Sequence, residues 1–192
     1  MNIVFATNNK NKIKEITPLL DSKIKILSLK DISCFDNIPE TGNSLKENAF
    51  LKANFVKQHY NYDCFADDTG LFIDYINGEP GVYSARYAGE DGNSKKNIEK
   101  VLQKLNGVDN RKAHFTTVIS LILNDKYFFF DGSVYGRISL KIKGDKGFGY
   151  DPVFIPDGYD ISFAQMPLSE KNKISHRAIA IKKLIKFFNS II

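Results

Sequence analysis

The sequence predicts a mixed α/β fold in which strands and helices alternate along one chain. Three observations carry this. Apolar residues recur at helical spacing in several stretches, with short β-branched or aromatic runs between them. The pair Asn124-Asp125 stands between two long β-rich runs, as a hairpin turn does, so at least one strand pair is antiparallel. No internal repeat, low-complexity tract or Pro/Ser-rich linker interrupts the 192 residues, and one domain, 1–192, is expected. A mixed sheet flanked by helices fits these elements.

The elements follow in order. Residues 3–6 read as a strand, and the polar run from Thr7 to Lys12 leads into a helix carrying Ile13, Ile16 and Leu20. Pro18 must end or kink that helix, because it lacks the N–H of the helical ladder. Residues 24–27 form a second strand. Leu45, Ala49, Ala53 and Val56 then share one helical face, and Ser44 with Glu47 makes a capping box at its start. Strands are expected at 64–66, 71–75, 115–123, 127–130 and 152–155. Ile98, Val101, Leu102 and Leu105 form a helical stripe, and so do Ile181, Leu184, Ile185 and Phe188.

Composition bounds the class. The apolar fraction of 43%, with 15 Phe and 9 Tyr, fills a core without Trp. No apolar run approaches the roughly 18 residues of a membrane span, and no charged leader precedes an apolar segment, so neither a membrane partner nor a secretory signal is expected. Cys34 and Cys64 match no metal or redox spacing, which points to free thiols in a cytoplasmic protein. The net charge of +5 fits either affinity for polyanions or a compositional bias. Only Arg86, Arg111, Arg137 and Arg177 among the 27 basic residues are arginine, which favours bias over a nucleic-acid patch.

Several segments carry chemistry. Lys10, Lys12 and Lys14 stand at one helix start, and Lys171, Lys173, His176 and Arg177 lead into another. A helix N-terminus disfavours cations by about 0.3–1 kcal/mol but welcomes a docked phosphate. Lys95-Lys96 show the same pattern, so solvated surface is the alternative reading. Asp67-Asp68-Thr69-Gly70 sets two carboxylates at a strand end, where successive side chains face opposite ways. They suit a hard cation such as Mg²⁺ or general-base work, or else an Asp-Thr-Gly turn. Glu40 offers a second carboxylate or a loop charge, and Lys52 a phosphate contact or a solvated helix face. Gly147-Phe148-Gly149-Tyr150-Asp151 packs aromatics between glycines, for close approach to a ligand or for a tight turn. It is no dinucleotide fingerprint, no phosphate loop of the G-x-x-x-x-G-K-[ST] type is present, and no Ser/His/Asp or Cys/His arrangement offers a covalent nucleophile. His59 and His114 have no partner pattern and read as structural.

Taken together, these segments resemble the Ham1/ITPase family of nucleoside triphosphate pyrophosphatases. The blocks that carry the resemblance run in order from Ala6-Thr7-Asn8-Asn9 to Lys12, through Glu40-Thr41-Gly42, Glu47-Asn48-Ala49 and Ala66-Asp67-Asp68-Thr69-Gly70. Pro80-Gly81-Val82-Tyr83-Ser84-Ala85-Arg86-Tyr87, Gly147-Phe148-Gly149-Tyr150-Asp151-Pro152 and Glu170-Lys171 through Ser175-His176-Arg177 complete it. The resemblance implies an ITPase-like fold, a long central mixed sheet with two lobes around a cleft. It also implies a homodimer without nucleic-acid partners and Mg²⁺-dependent hydrolysis of ITP, dITP and XTP to monophosphate and pyrophosphate.

By the resemblance, Asp68 is proton acceptor and metal ligand, and Glu40 is the other metal carboxylate. Thr7, Asn9 and Lys12 match a phosphate-binding loop, within which Asn8, Lys10 and Asn11 also bind substrate; Lys52 is expected to hold phosphates, and Thr69 and Lys171 contact the substrate. Phe148, Gly149, Tyr150 and Asp151 line the base pocket, and His176 with Arg177 closes over the base. Arg177 is expected to aim a donor at the 6-oxo group that hypoxanthine has and adenine lacks. Ser162 and Gln165 stand where the family often has Thr and Glu, which leaves their role open. A Maf-like pyrophosphatase of other base preference and a non-catalytic nucleotide- or RNA-binding module are the rival readings.

Overall fold

The computed structural model describes residues 1–20, 24–89 and 92–191. Its strands are β1 (Asn2–Phe5), β2 (Lys25–Leu27), β3 (Cys64–Ile73), β4 (Pro80–Gly81), β5 (Lys112–Leu123), β6 (Lys126–Ile138) and β7 (Phe154–Pro156). Its helices are α1 (Lys10–Ile16), α2 (Leu45–Tyr60), α3 (Ser94–Lys104), α4 (Leu168–Ile174) and α5 (His176–Asn189). The strand order is β2-β1-β3-β5-β6-β7, with β4 paired to β3. β1 runs parallel to β2 and β3, whereas β4 and β7 pair antiparallel with their neighbours, so the sheet is mixed. Asn124 and Asp125, both at positive φ (49° and 60°), turn β5 into β6. A two-residue turn of that hand matches the twist of a hairpin.

The chain forms two compact units. The first comprises Met1–Asp68, Thr117–Gly132 and Arg177–Ile192, and the second Thr69–Thr116 and Ser133–His176. In the first, strand alternation sorts the core onto two faces. Ile3, Phe5, Phe65, Ile119 and Leu121 pack with Ala180, Ile181, Leu184 and Phe188 of α5 and with Ile13 and Ile16 of α1. Their even-numbered neighbours Val4, Ala6, Cys64, Ala66 and Ile122 pack with Ala53 and Val56 of α2. The period of two along a strand produces this division. Phe5 and Phe65 stack at 4.5 Å, an arrangement worth about 0.5–1.5 kcal/mol beyond burial.

In the second unit one core joins Leu71 and Ile73 of β3 to Ile98, Val101 and Leu105 of α3, and to Phe115, Phe154 and Phe163. Arg111 fastens it from below the helix, donating to the carbonyls of Leu105, Ile138 and Ser139.

Sequence expectation and structure differ in several places, among them β4, which was not expected, and β7, which begins at Phe154 and not at residue 152. The strands expected at 64–66 and 71–75 are one strand, β3, with Asp67-Asp68-Thr69-Gly70 inside it. β6 runs to Ile138 instead of stopping at residue 130. The short α4 places Lys171 and Lys173 in a helical last turn, where cations are favoured, and not at a helix start. The box at α2 is offset by one residue. Ser44 Oγ accepts from Glu47 N at 3.1 Å, but Glu47 Oε2 takes the N–H of Asn43 at 2.6 Å. Pro18 acts as expected, ending α1 at Ile16 and sitting in the 3-10 turn Thr17–Leu19.

Gly70 is fixed by packing. A Cβ there would lie 2.7 Å from Gly81 O, the partner strand's backbone. Strand propensity alone would make Gly70→Ala stabilising. The clash reverses the sign, and we expect a loss of about 1–3 kcal/mol, read as a lower Tm in thermal unfolding.

Candidate active site

β3 carries Asp67 and Asp68 as successive, buried residues. Asp67 shares the parity of Phe65 and faces α1 and α5. Its Oδ1 accepts from Lys12 Nζ at 2.9 Å and its Oδ2 from Arg177 Nε at 3.2 Å. Arg177 Nη1 donates in turn to Glu15 at 2.5 Å. Charges of alternating sign thus run Glu15, Arg177, Asp67, Lys12, three of them nearly sealed from water. Burial alone would raise the pKa of Asp67, but Lys12, Arg177 and Lys52 outweigh it and hold the carboxyl far below the usual range. Arg177, whose burial favours the neutral form, is kept charged by Asp67 and Glu15. Burial lowers the pKa of Lys12, with Asp67 opposing and Lys52 and Arg177 adding.

Asp68 has the parity of Ala66 and faces α2. Asn48 Nδ2 donates to its Oδ2 at 3.2 Å, and Lys52 Nζ stands 3.6 Å from its Oδ1. The same ammonium lies 2.5 Å from Glu40 Oε1, so one lysine bridges the two expected metal carboxylates. Burial raises the pKa of Asp68, Glu40 adds to this, and Lys52, Lys12 and Asn48 only partly oppose it. Lys52 is raised despite its burial, because Asp68 and Glu40 face it. Among the described residues no group of three or more His, Cys, Asp or Glu side chains stands together to cage a metal. Two oxygen donors around one cation do fit Mg²⁺, which takes one or two carboxylates beside substrate phosphates.

The expected phosphate loop is built around a helix cap. Asn9 is the N-cap of α1, its Oδ1 accepting from Asn11 N at 2.9 Å and Lys12 N at 3.3 Å. Thr7 Oγ1 accepts from Asn9 N at 3.1 Å. Thr7 and Asn9 are half-buried, whereas Asn8, Lys10 and Asn11 are exposed. Lys12 is the loop's link to the carboxylates.

In the second unit, Asp151 Oδ2 accepts from Phe148 N at 2.9 Å and from Lys171 Nζ at 2.5 Å. Lys171 Nζ lies over the rings of Phe148 (5.4 Å) and Phe163 (5.3 Å). Gly147 permits this, since a Cβ there would meet Asp151 Oδ2 at 2.0 Å. Gly149, at φ +61°, turns the chain. Tyr150 differs from its expectation as pocket lining, because it is a core residue whose hydroxyl donates to Ser84 O. The His176 ring is buried against Phe115 at 4.5 Å. Thr69 is half-buried on β3. Ser162 and Gln165 have a structural role: Ser162 N donates to Gln165 Oε1 and Ser162 Oγ to Lys143 O, capping the 3-10 turn Phe163–Gln165.

Sequence reasoning missed Glu15 and gave Asp67 no partner. Lys12 and Glu15 are one helical turn apart, a spacing that puts them on one face. Arg177 has its Nε and Nη1 committed to two carboxylates, Asp67 and Glu15.

A sequence model of the Ham1 family matches residues 3–187. The chain belongs to the Ham1 family. A dITP/XTP pyrophosphatase of Flavobacterium psychrophilum is 54% identical over 190 residues, covering 99% of this chain and all of that protein. The Ham1 protein of Staphylococcus aureus superposes with a TM-score of 0.91 at 38% identity over the whole of both chains. A HAM1 protein of Coxiella burnetii gives 0.90 at 36% over 99% of each. The mixed α/β fold is thus that of the Ham1 proteins.

Asp67 tests the buried charge chain. Its lowered pKa stabilises the fold fully above the ordinary carboxylate pKa of about 4, and the contribution is lost as pH falls toward the folded value. Asp67→Asn leaves Lys12 and Arg177 undercompensated, at a cost of about 3 kcal/mol near neutrality. Urea unfolding at pH 7 and pH 3 should show a gap between wild type and variant that narrows at the lower pH.

Proposed function

We propose that this chain hydrolyses dITP, XTP and ITP between the α and β phosphates, releasing the nucleoside monophosphate and pyrophosphate, with Mg²⁺ as cofactor. Such activity would keep non-standard purine nucleotides from being incorporated into DNA and RNA. Membership of the Ham1 family and relatives named dITP/XTP pyrophosphatase support the reaction class. One observation carries the mechanism: two adjacent carboxylates have opposite surroundings. Both oxygens of Asp67 are taken by cations, which makes it a poor base. Asp68 has one neutral amide donor and a lysine it shares with Glu40. Environments that separate neighbouring carboxyls in this way assign their roles.

Asp68 takes the proton of the attacking water, a step worth about 10²–10⁴ in rate for a well-placed base. Glu40 and Asp68 would hold the metal, which would supply charge neutralisation for the leaving pyrophosphate and a lowered pKa of water. Lys12, fixed by Asp67, and Lys52, fixed by Glu40, meet phosphate oxygens, since phosphoryl transfer is mainly positioning and charge stabilisation. Thr7, Asn8, Asn9, Lys10, Asn11 and Thr69 belong to phosphate binding. Phe148, Gly149, Asp151, His176 and Arg177 belong to the base, and Lys171 contacts the substrate, on the strength of the family blocks, while Tyr150 supports them from the core. Residues 1–192 act as one catalytic domain, as a cytoplasmic homodimer. No helix among the described residues is long and apolar enough to cross a membrane.

The test is an assay of ITP, XTP, dITP, GTP, ATP and UTP with Mg²⁺, detecting pyrophosphate separately from orthophosphate. We expect pyrophosphate from the first three. Asp68→Asn should lower kcat by at least about 10²-fold with the circular dichroism spectrum unchanged. Orthophosphate release, or near wild-type turnover by the variant, contradicts the mechanism.

A further inference from the structure

Asn48 takes no part in the chemistry proposed above, yet it is fully buried and makes two bonds that only a carboxamide can make together. Its Oδ1 accepts from Gly42 N at 2.8 Å, and its Nδ2 donates to Asp68 Oδ2 at 3.2 Å. A backbone N–H can only donate and an ionised carboxylate can only accept, so both ends of the amide are fixed in orientation. An Asp at position 48 would set carboxylate against carboxylate, and an aliphatic side chain would serve neither partner.

Gly42 lies two residues after Glu40, the other carboxylate on Lys52. The loop is pressed onto the first turn of α2 at this point. A Cβ on Gly42 would fall 2.6 Å from Glu47 Cβ and 2.9 Å from Asn48 Oδ1. Asn43 N and Ser44 Oγ clip the same stretch to Glu47. Asn48 therefore joins two segments, the Glu40 loop and β3, that each bring one carboxylate to Lys52.

We infer that Asn48 is a positioning residue that ties the Glu40 loop to Asp68, so that both carboxylates reach a divalent cation already in register. This rests on the reading of Glu40 and Asp68 as the metal pair, and the experiment separates the two. The probe is Mn²⁺, titrated into substrate-free protein by calorimetry and followed by the EPR signal of the free ion. Asn48→Ala should weaken Mn²⁺ binding about 10–100-fold, the usual cost of losing a partner that orients a metal ligand, while the substrate KM at saturating Mn²⁺ moves by less than about threefold. A residue that merely supported the fold would lower Tm and leave Mn²⁺ affinity in place.

Gly42→Ala covers the case in which Asn48→Ala does not fold, because it lifts the loop while keeping the Asn48 carboxamide that donates to Asp68. It should weaken Mn²⁺ binding in the same direction. Wild-type affinity retained in either folded variant overturns the inference while the metal pair stands. Wild-type protein that neither binds Mn²⁺ nor releases pyrophosphate overturns both.

Discussion

The pleat of one strand sets the chemistry of this protein. From Cys64 to Asp68 of β3, odd residues face α1 and α5 and even residues face α2, and the core obeys that division from Cys64 to Ala66. The next two residues are carboxylates, and the same alternation sends them to different partners. Asp67 enters a layer that contains Lys12 and Arg177, and Asp68 enters one that contains Asn48 and Lys52. Two chemically identical neighbours acquire different basicity because backbone geometry gives them different charged partners. A slip of one residue in the register of β3 would exchange them.

Burying this much charge is a poor route to stability. Desolvation of a buried ion pair can exceed its Coulombic gain, whereas breaking one is expensive. The chain Glu15, Arg177, Asp67 and Lys12 is best understood through what it fixes. Lys12 ends at a defined position with its charge balanced from behind, and α1 and α5 are joined to β3 at one point. The second unit repeats the device on a smaller scale. There Asp151 orders the Phe148 backbone and Lys171 together, and Gly147 leaves the space for it.

Much of the fold was legible in the sequence because the helical stripes are long and regular. Leu45 to Val56, Ile98 to Leu105 and Ile181 to Phe188 fall in α2, α3 and α5. The errors have separate physical origins. Asp-Asp-Thr-Gly has the composition of a turn, because Asp and Thr side chains can satisfy nearby backbone groups. Cations distant in sequence satisfy them instead, and β3 continues through the motif to Ile73. α4 was missed because its seven residues are too few for periodicity to show, although Glu170 in its first turn and Lys171 and Lys173 in its last were available signals. In the candidate site, Asp68, Glu40, Lys12 and Lys52 were each singled out as chemistry-bearing residues, and they stand together in the first unit. Asn48 enters the sequence reading only within the block Glu47-Asn48-Ala49. Its bonds to Gly42 and Asp68, like the Glu15–Arg177 pair, depend on tertiary contacts that no local pattern encodes.

The most direct test of the account is a carbon-13 NMR titration of the side-chain carboxyls of Asp67 and Asp68 in the metal-free protein, each assigned with its Asn variant. The account predicts that Asp68 takes up its proton above the ordinary carboxylate pKa of about 4, while Asp67 stays ionised until well below it. Equal titration of the two, or the reverse order, would contradict the claim that the pleat of β3 divides their roles.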